Sequence, residues 1–410
     1  VKIFPEEDRS IYLKWILIGL LVRLAFMPFT LHGDLVGINK YAFLLVHQGS
    51  IPPVRMDYPP LAYYTVGFFQ FLFKPVMPFF GFALDSGEPL WGTTSHIYRY
   101  LFLLKSHYLI FDFGISFLLL RLVEDRKKRL LAFKLWMLNP LVIFTCYLHG
   151  QFDILPTFFV ILSLYFVWKS KLGISLLCLA IGAAFKNFPL LFLIPALIFL
   201  GKNKREKLKL LVWAAVPYLL FTFPYWGDPG FKQAITTGGG YDETLLNLRF
   251  AIGDHTVYIF VLGYAMILAF AYFREPGRNS RDAFRALWQT ELVICLWFYV
   301  TVYFHPQWTV WMMPLLILLV VGDKKLTPLY WFLIVCVFIY TFWWGSLLSS
   351  WLFTRVDPGF FRELKPPSAV IARFYPPNKF INIFRSLFSG ISIWLIYEIL
   401  KRLRRTEERR

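Results

Sequence analysis

The stretch Thr327–Leu347, TPLYWFLIVCVFIYTFWWGSL, contains no charged residue. A helix of about 20 residues crosses the hydrocarbon layer of a bilayer and satisfies its backbone hydrogen bonds internally. Thr327–Leu347 is long enough to do this, and the runs 209–224 and 256–273 approach the same length. Across the whole chain, 58% of the 410 residues are hydrophobic and 20% aromatic, above the roughly 45–50% apolar share of a soluble domain. A transmembrane barrel would need short segments of alternating polarity, which these runs lack. The sequence therefore predicts an all-α polytopic membrane protein.

About twelve spans are expected, near 11–30, 103–123, 131–148, 154–168, 172–185, 188–200, 209–224, 256–273, 286–304, 306–321, 327–347 and 386–400. Both termini then lie on one side of the membrane. The net charge of +18 arises from 43 Lys and Arg against 25 acidic residues, and most of the basic residues fall on that terminal side. They form the clusters Arg126–Arg129, Lys202–Lys209, Arg274–Arg285 and a basic tail at 401–410. Positive charge marks that side as cytoplasmic. Because the clusters are short and separated by apolar runs, they form no continuous stripe, and nucleic acid is not expected as a partner.

The opposite, extracytoplasmic side receives three long segments, about 31–102, 225–255 and 348–385, rich in Pro, Gly and aromatic residues. Residues 61–80 read as an interfacial helix lying on the membrane. The whole of 1–410 reads as a single transmembrane domain whose first span is its own signal anchor. Cys146, Cys178, Cys295 and Cys336 all fall within spans and lack zinc-binding spacing, so neither a disulfide framework nor a zinc site is expected.

Candidate functional residues gather at the outer ends of the spans. Asp34, in His32-Gly33-Asp34, follows the first span closely, where a carboxylate can accept the proton of an attacking hydroxyl. A solvated loop aspartate is the plainer account. Tyr58-Pro59-Pro60 fixes two successive backbone angles beside an aromatic ring, although the same tripeptide commonly begins a helix, with Asp57 as its cap. His149-Gly150-Gln151-Phe152-Asp153 breaks two spans with a tight polar turn. His149, Gln151 and Asp153 can bind sugar hydroxyls there, or simply form a hairpin with a capping Asp.

Lys186-Asn187 stands between two runs too short for a full crossing, which sinks an ammonium below the surface where an anion such as a lipid phosphate would stabilise it. Snorkelling to the interface is the alternative. In His305-Pro306-Gln307-Trp308, His305 suits a phosphate or sugar and Trp308 can stack on a sugar face; an aromatic-anchored turn competes. Arg355 and Arg373, with Arg362, Lys365 and Lys379, make the last outer segment basic against the trend and suit an anionic ligand. Arg23 and Glu291 lie inside spans and are expected to be paired or packed.

Taken in order, these features resemble the GT-C glycosyltransferases, over most of the chain. They are an Asp-bearing first loop, Tyr58-Pro59-Pro60-Leu61, the turn Gly150-Gln151-Phe152-Asp153, Lys186 ahead of a Pro-Leu-Leu run, and the late outer His305. The nearest branches in character are the prokaryotic polyprenyl-phosphate-mannose mannosyltransferases and the endoplasmic-reticulum glucosyltransferases that use dolichyl-phosphate glucose. The resemblance implies a GT-C fold and an inverting transfer of a hexose, mannose by similarity, from a polyprenyl-phosphate sugar to a glycolipid or lipid-linked glycan acceptor. Asp34 would be the catalytic base. Lys186, His305, Arg355 and Arg373 would hold the donor phosphate and sugar, while Tyr58, His149, Gln151, Asp153 and Trp308 would contact sugar or acceptor.

Two departures stand out. Pro306-Gln307 replaces the Glu-Lys of the glucosyltransferase turn, and no second acidic residue lies two positions from Asp34, where His32 and Val36 stand. A reaction without metal or cofactor is therefore expected. A flippase or transporter for a lipid-linked sugar would also use many spans and buried cations, but would carry inverted repeats and polar residues at mid-membrane. An oligosaccharyltransferase or O-antigen ligase is a third possibility.

Overall fold

The computed structural model describes residues 8–49, 58–77, 96–229, 231–232, 244–274 and 279–408. In chain order its helices are α1 (Arg9–Phe26), α2 (Gly33–His47), α3 (Pro60–Phe73), α4 (Ile97–Ser106), α5 (Tyr108–Leu122), α6 (Arg126–Met137) and α7 (Pro140–Ile143), the last running into a π-helical turn at Phe144–His149. There follow α8 (Ile154–Trp168), α9 (Leu172–Phe185), α10 (Leu193–Leu200) and α11 (Lys204–Thr222). A hairpin of β1 (Arg249–Ile252) and β2 (His255–Tyr258) leads to α12 (Ile259–Tyr272), α13 (Ser280–Thr301), α14 (Met313–Gly322), α15 (Thr327–Thr341), α16 (Pro358–Glu363), α17 (Pro367–Ile371) and α18 (Pro377–Glu408). Short polar side chains start several of these helices by accepting otherwise orphaned backbone N–H groups. Asp125 caps α6, Asn139 caps α7 with Pro140 at its first position, Asn203 caps α11 and Asn279 caps α13.

Among the described residues, five continuous helical stretches are long and apolar enough to cross a membrane: Ile97–Leu122, Arg126–His149, Lys204–Tyr225, Lys324–Leu348 and Pro377–Arg404. Five further apolar helices are shorter, at Ile154–Trp168, Leu172–Phe185, Phe188–Leu200, Ile259–Tyr272 and Met313–Gly322. Each of the ten falls on one of the expected spans, and α1 and α13 fall on the remaining two. The protein is thus an α-helical membrane protein. The helix expected within 61–80 is present as α3, Pro60–Phe73, while residues 78–80 and the capping role expected of Asp57 lie outside the described residues.

The hairpin was not anticipated in the segment 225–255. Arg249 pairs with Tyr258 and Ile252 with His255, leaving the two-residue turn Gly253-Asp254. Gly253 has φ +58, and a positive φ at the first but not the second central residue is the type II′ pattern that suits strand twist. Gly-Asp between two short strands is itself a hairpin signal.

The chain forms two compact units. The first comprises Val1–Pro52, Ala62–Leu155 and Ile334–Arg385, and the second Pro53–Leu61, Pro156–Leu333 and Ser386–Arg410. In the first, Leu31, Leu35, Met77, Ile97, Tyr100, Leu101 and Leu104 make one apolar cluster, and Phe144, Leu348 and Leu352 another. Arg23 is fully buried and paired, as expected, donating from Nε to Asp112 at 2.6 Å. In the second, α14 is buried from Met313 to Val321, and Phe188 stacks flat on Trp311 with centroids 4.0 Å apart. Glu291 is buried there too, but its Oε2 has no hydrogen-bond partner.

Candidate functional site

Asp34 lies in the first turn of α2, not in a loop. After α1 the chain is pinned by the Leu31 N–H, which donates to the carbonyl of Leu352 at 2.9 Å. His32 then takes an extended conformation, and its Nδ1 accepts the Asp34 N–H at 3.2 Å. Imidazole outside the usual set of capping residues explains why the helix start was not visible in the sequence.

The turn at 149–153 reaches this position because of its glycine. Gly150 has φ +83, a left-handed conformation, and a Cβ there would stand 3.2 Å from the Leu35 side chain of α2. The Gln151 N–H closes the turn on the carbonyl of Thr145 at 3.0 Å. Close approach to α2 and the left-handed backbone both require glycine. As a result the Gln151 amide donates to Oδ2 of Asp34, and His149 Nε2 lies 3.6 Å from the same oxygen and 3.1 Å from His32 Nδ1. The two imidazoles meet edge to face, with centroids 4.2 Å apart. His149 and Gln151 are buried, whereas the Asp34 side chain is 42% exposed. The carboxylate can therefore be reached from outside while the groups that orient it cannot move freely.

Beneath this cluster, Lys105 donates to the carbonyls of Met27 (3.1 Å), Thr30 (2.6 Å) and Tyr147 (3.0 Å) and to the Thr30 hydroxyl (2.8 Å). It ties the segment leading into α2 to the helix that ends at His149. The Tyr147 hydroxyl donates to Asp112 Oδ2 at 2.7 Å, and the Trp136 indole donates to Asp112 Oδ1 at 2.8 Å. The Tyr108 hydroxyl donates to the Gly150 carbonyl at 3.0 Å. Asp153 is fully buried below the turn, close enough to Tyr108 and Cys146 to act on both electrostatically.

A second group of predicted residues meets in the second unit. Lys186, at 2% exposure, ends α9 and places its ammonium 5.4 Å from the ring centroid of Tyr58, 5.5 Å from Trp311 and 5.9 Å from Trp308. Electron-rich ring faces at these distances stabilise a cation. Trp308 and Trp311 stack with each other, and His305 lies beside Trp308 with centroids 5.2 Å apart. The ammonium is thus buried among aromatic side chains.

Arg355 is half-buried in the first unit. Burial and the neighbouring Arg362 lower its guanidinium pKa to about 10, which leaves it charged at neutral pH. Its carbonyl accepts the Tyr98 hydroxyl at 2.8 Å. Arg373 is exposed.

The sequence reading put His149 and Gln151 in one zone with Asp34, and the structure brings these three together; it read Tyr58 as a rigid neighbour of Asp34, whereas the structure sets Tyr58 against Lys186. That reading missed His32 as a participant, Lys105 and Asp112 as buried charges under the cluster, and Trp311 as a wall of the cage. Asp112 and Lys105 both lie in the expected span 103–123, where a charge inside an apolar run was the available signal.

Comparison with known proteins gives two kinds of likeness. The family described as GPI transamidase subunit PIG-U matches residues 103–226, which include the 149–153 turn and Lys186. The chain is also similar to GPI mannosyltransferase 1 of Saccharomyces cerevisiae, 28% identical over 116 residues, covering 28% of each protein. It is 29% identical over 99 residues to GPI mannosyltransferase 1 of Kluyveromyces lactis, covering 23% of this chain and 24% of that one. The likeness thus spans about a quarter of the length of these relatives.

Proposed function

We propose that this protein is an inverting hexosyltransferase that moves mannose from a polyprenyl-phosphate sugar to a glycolipid acceptor of the GPI type on the extracytoplasmic side of the membrane. About twelve crossings with both termini cytoplasmic fit the distribution of basic clusters. The observation that carries the reading is Asp34, an accessible carboxylate oriented by the buried Gln151 amide and flanked by two imidazoles. Asp34 takes the proton of the acceptor hydroxyl, the hydroxyl oxygen bonds to the anomeric carbon, and the bond to the lipid phosphate breaks with its electron pair on the phosphate. Lys186, an ammonium caged by aromatic faces, is the first choice to stabilise that leaving anion, with His305, which packs on Trp308, as a second. Arg355 and Arg373 are further candidates for the phosphate. The two relatives named as mannosyltransferases support the choice of sugar and acceptor.

The test is incubation of purified protein in nanodiscs with polyprenyl-phosphate mannose or glucose and a panel of glycolipids, with products read by mass spectrometry. Addition of one hexose by the wild type, reduced by about a thousandfold or more in Asp34→Asn, is expected for loss of a general base together with its oriented charge. Transfer that survives in Asp34→Asn removes the base assignment.

A second reading, a non-catalytic subunit of a membrane assembly, is favoured by the match over residues 103–226 to a family described as a transamidase subunit. It predicts no transfer from any donor and the same cellular activity for wild type and Asp34→Asn. Movement of lipid-linked sugar across the bilayer without transfer would instead favour the transporter.

A further inference from the structure

We infer that His32, Asp34 and His149 form a binding site for a first-row divalent cation of the zinc type. Each residue directs one ligand-competent atom at the others: His32 Nδ1, Asp34 Oδ2 and His149 Nε2. The edges of that triangle are 3.1 Å between the imidazole nitrogens and 3.6 Å from each nitrogen to the carboxylate oxygen. A triangle with those edges has a circumradius of about 2.0 Å, and zinc binds imidazole nitrogen at about 2.0–2.1 Å and carboxylate oxygen at about 2.0–2.2 Å. A cation close to the plane of the three atoms therefore meets all of them at bonding distance without any backbone movement.

The donor set is also the right kind. Two imidazoles and one carboxylate suit zinc and its first-row neighbours, whereas magnesium and calcium favour all-oxygen shells. Three protein ligands leave coordination positions open, the pattern of a catalytic site and not a structural one. The outer contacts are divided: the carboxylate and the packing of the rings fit, whereas His149 Nδ1, which would carry the proton once Nε2 binds a cation, is buried with no hydrogen-bond partner. The Gln151 amide holds the ligating carboxylate, and the edge-to-face packing of His149 on His32 fixes both rings. The two ring nitrogens already stand 3.1 Å apart, within hydrogen-bonding distance of each other. The long 3.2 Å contact from the Asp34 N–H to His32 Nδ1 is the one capping bond that is given up.

The expectation of a reaction without metal weighed only carboxylates near Asp34. It did not weigh His32, two residues before it, or His149, 115 positions further along the chain. The cation's part in catalysis rests on the proposed hexosyl transfer; the binding site does not. Bound there, a cation lowers the pKa of an acceptor hydroxyl that coordinates it. His32, His149 and Asp34 would hold that cation, and Asp34 would take the hydroxyl's proton as the oxygen bonds to the anomeric carbon and the bond to the lipid phosphate breaks with its electron pair on the phosphate.

The full chain, purified with a tag that contains no histidine and placed in nanodiscs, is stripped with chelator and then titrated with Zn2+ and with Co2+. Metal content is read by mass spectrometry and Co2+ coordination by visible absorbance. One equivalent per chain is expected. His32→Gln, His149→Gln and Asp34→Asn should each weaken binding about tenfold or more, and His255→Gln, on the exposed face of the hairpin, should bind like wild type. The three ligand variants are separate tests, so one that fails to fold leaves two, and a thermal melt in nanodiscs identifies which have folded. Uptake below about a tenth of an equivalent, or folded variants that bind like wild type, overturns the site. Hexosyl transfer that persists in chelator but fails in Asp34→Asn upholds the transferase and overturns the catalytic metal. One equivalent bound by three residues, with no transfer from any donor, upholds the site and counts against the transferase.

Discussion

Arg23 and Asp112 are both fully buried, and each is surrounded by the bonds that make such a pair tolerable. Arg23 also donates to the carbonyls of Gly19 (2.8 Å) and Met137 (2.7 Å), while Asp112 accepts from Tyr147 and Trp136. Removing one partner of such a pair leaves an uncompensated charge and costs about 3–5 kcal/mol. Arg23→Met should therefore lower the midpoint of thermal unfolding in detergent sharply, and Arg23→Met with Asp112→Leu should recover a large part of the loss. A double variant as unstable as the single one would show that the pair's value lies in its other bonds. At this scale the sequence was only partly legible. Arg23 was recognisable as a charge in an apolar span, but its partner lies 89 positions away in a different helix, and nothing local to Asp112 marks the pairing.

The decisive elements around Asp34 are the start of α2 and the turn that follows the π-helical segment. Spacing in the sequence located the turn, because polar residues interrupt an apolar run there, but it gave no sign of its shape and read the start of α2 as loop. A histidine cap is uncommon, and a π turn has no compositional signature, so the convergence of His32 and His149 could not be read from either segment alone. Gly150 is where this geometry is most exposed to test. In Gly150→Ala the left-handed backbone costs about 1–3 kcal/mol, and the new methyl must displace Leu35. Unfolding should move to lower temperature by that amount, and hexosyl transfer should fall more steeply than stability, because Gln151 and His149 both follow Gly150 out of place. Wild-type transfer in a folded Gly150→Ala would mean that the turn does not set the base. The hairpin was missed for a different reason: Gly253-Asp254 was readable as a turn, but each strand is only four residues long and Thr256–Tyr258 were read as the start of the span 256–273.

On the scale of the whole molecule, membrane class and the positions of the helices were legible because bilayer thickness imposes a length that few other constraints mimic. The division into two compact units was not, since each collects segments far apart in sequence. Each unit carries an ion pair near the ends of its helices. Asp8 pairs with Arg126 at the start of α6, and Asp323 pairs at 2.7 Å with Arg402 near the end of α18. The arginine holds each carboxyl below its ordinary pKa of 3.8. A carboxylate with a depressed pKa contributes its stability above the unfolded value and loses it as pH falls through the folded one. Both ties are therefore complete at neutral pH and fade below about pH 4. Because the Asp323 pair is part-exposed, it is worth less than about 1 kcal/mol. Thermal unfolding of Asp323→Asn should fall slightly below wild type at pH 7, and the difference should shrink as pH falls below about 4. A difference that grows in acid would reverse the sign and remove the argument.

Lys105 answers differently to acid. Met27 closes α1, and Tyr147 lies in the last turn of the helix that ends at His149. Two of the lysine's four acceptors are thus the carbonyl ends of helices, and the other two belong to Thr30. Aligned peptide dipoles give each such end the equivalent of about half a negative charge, so two of them together balance one ammonium. The acceptors around this buried lysine are peptide carbonyls and one hydroxyl, none of which gains a proton as pH falls through the carboxylate range. The segment that leads into Asp34 is consequently held by hydrogen bonds whose acceptors acid cannot discharge.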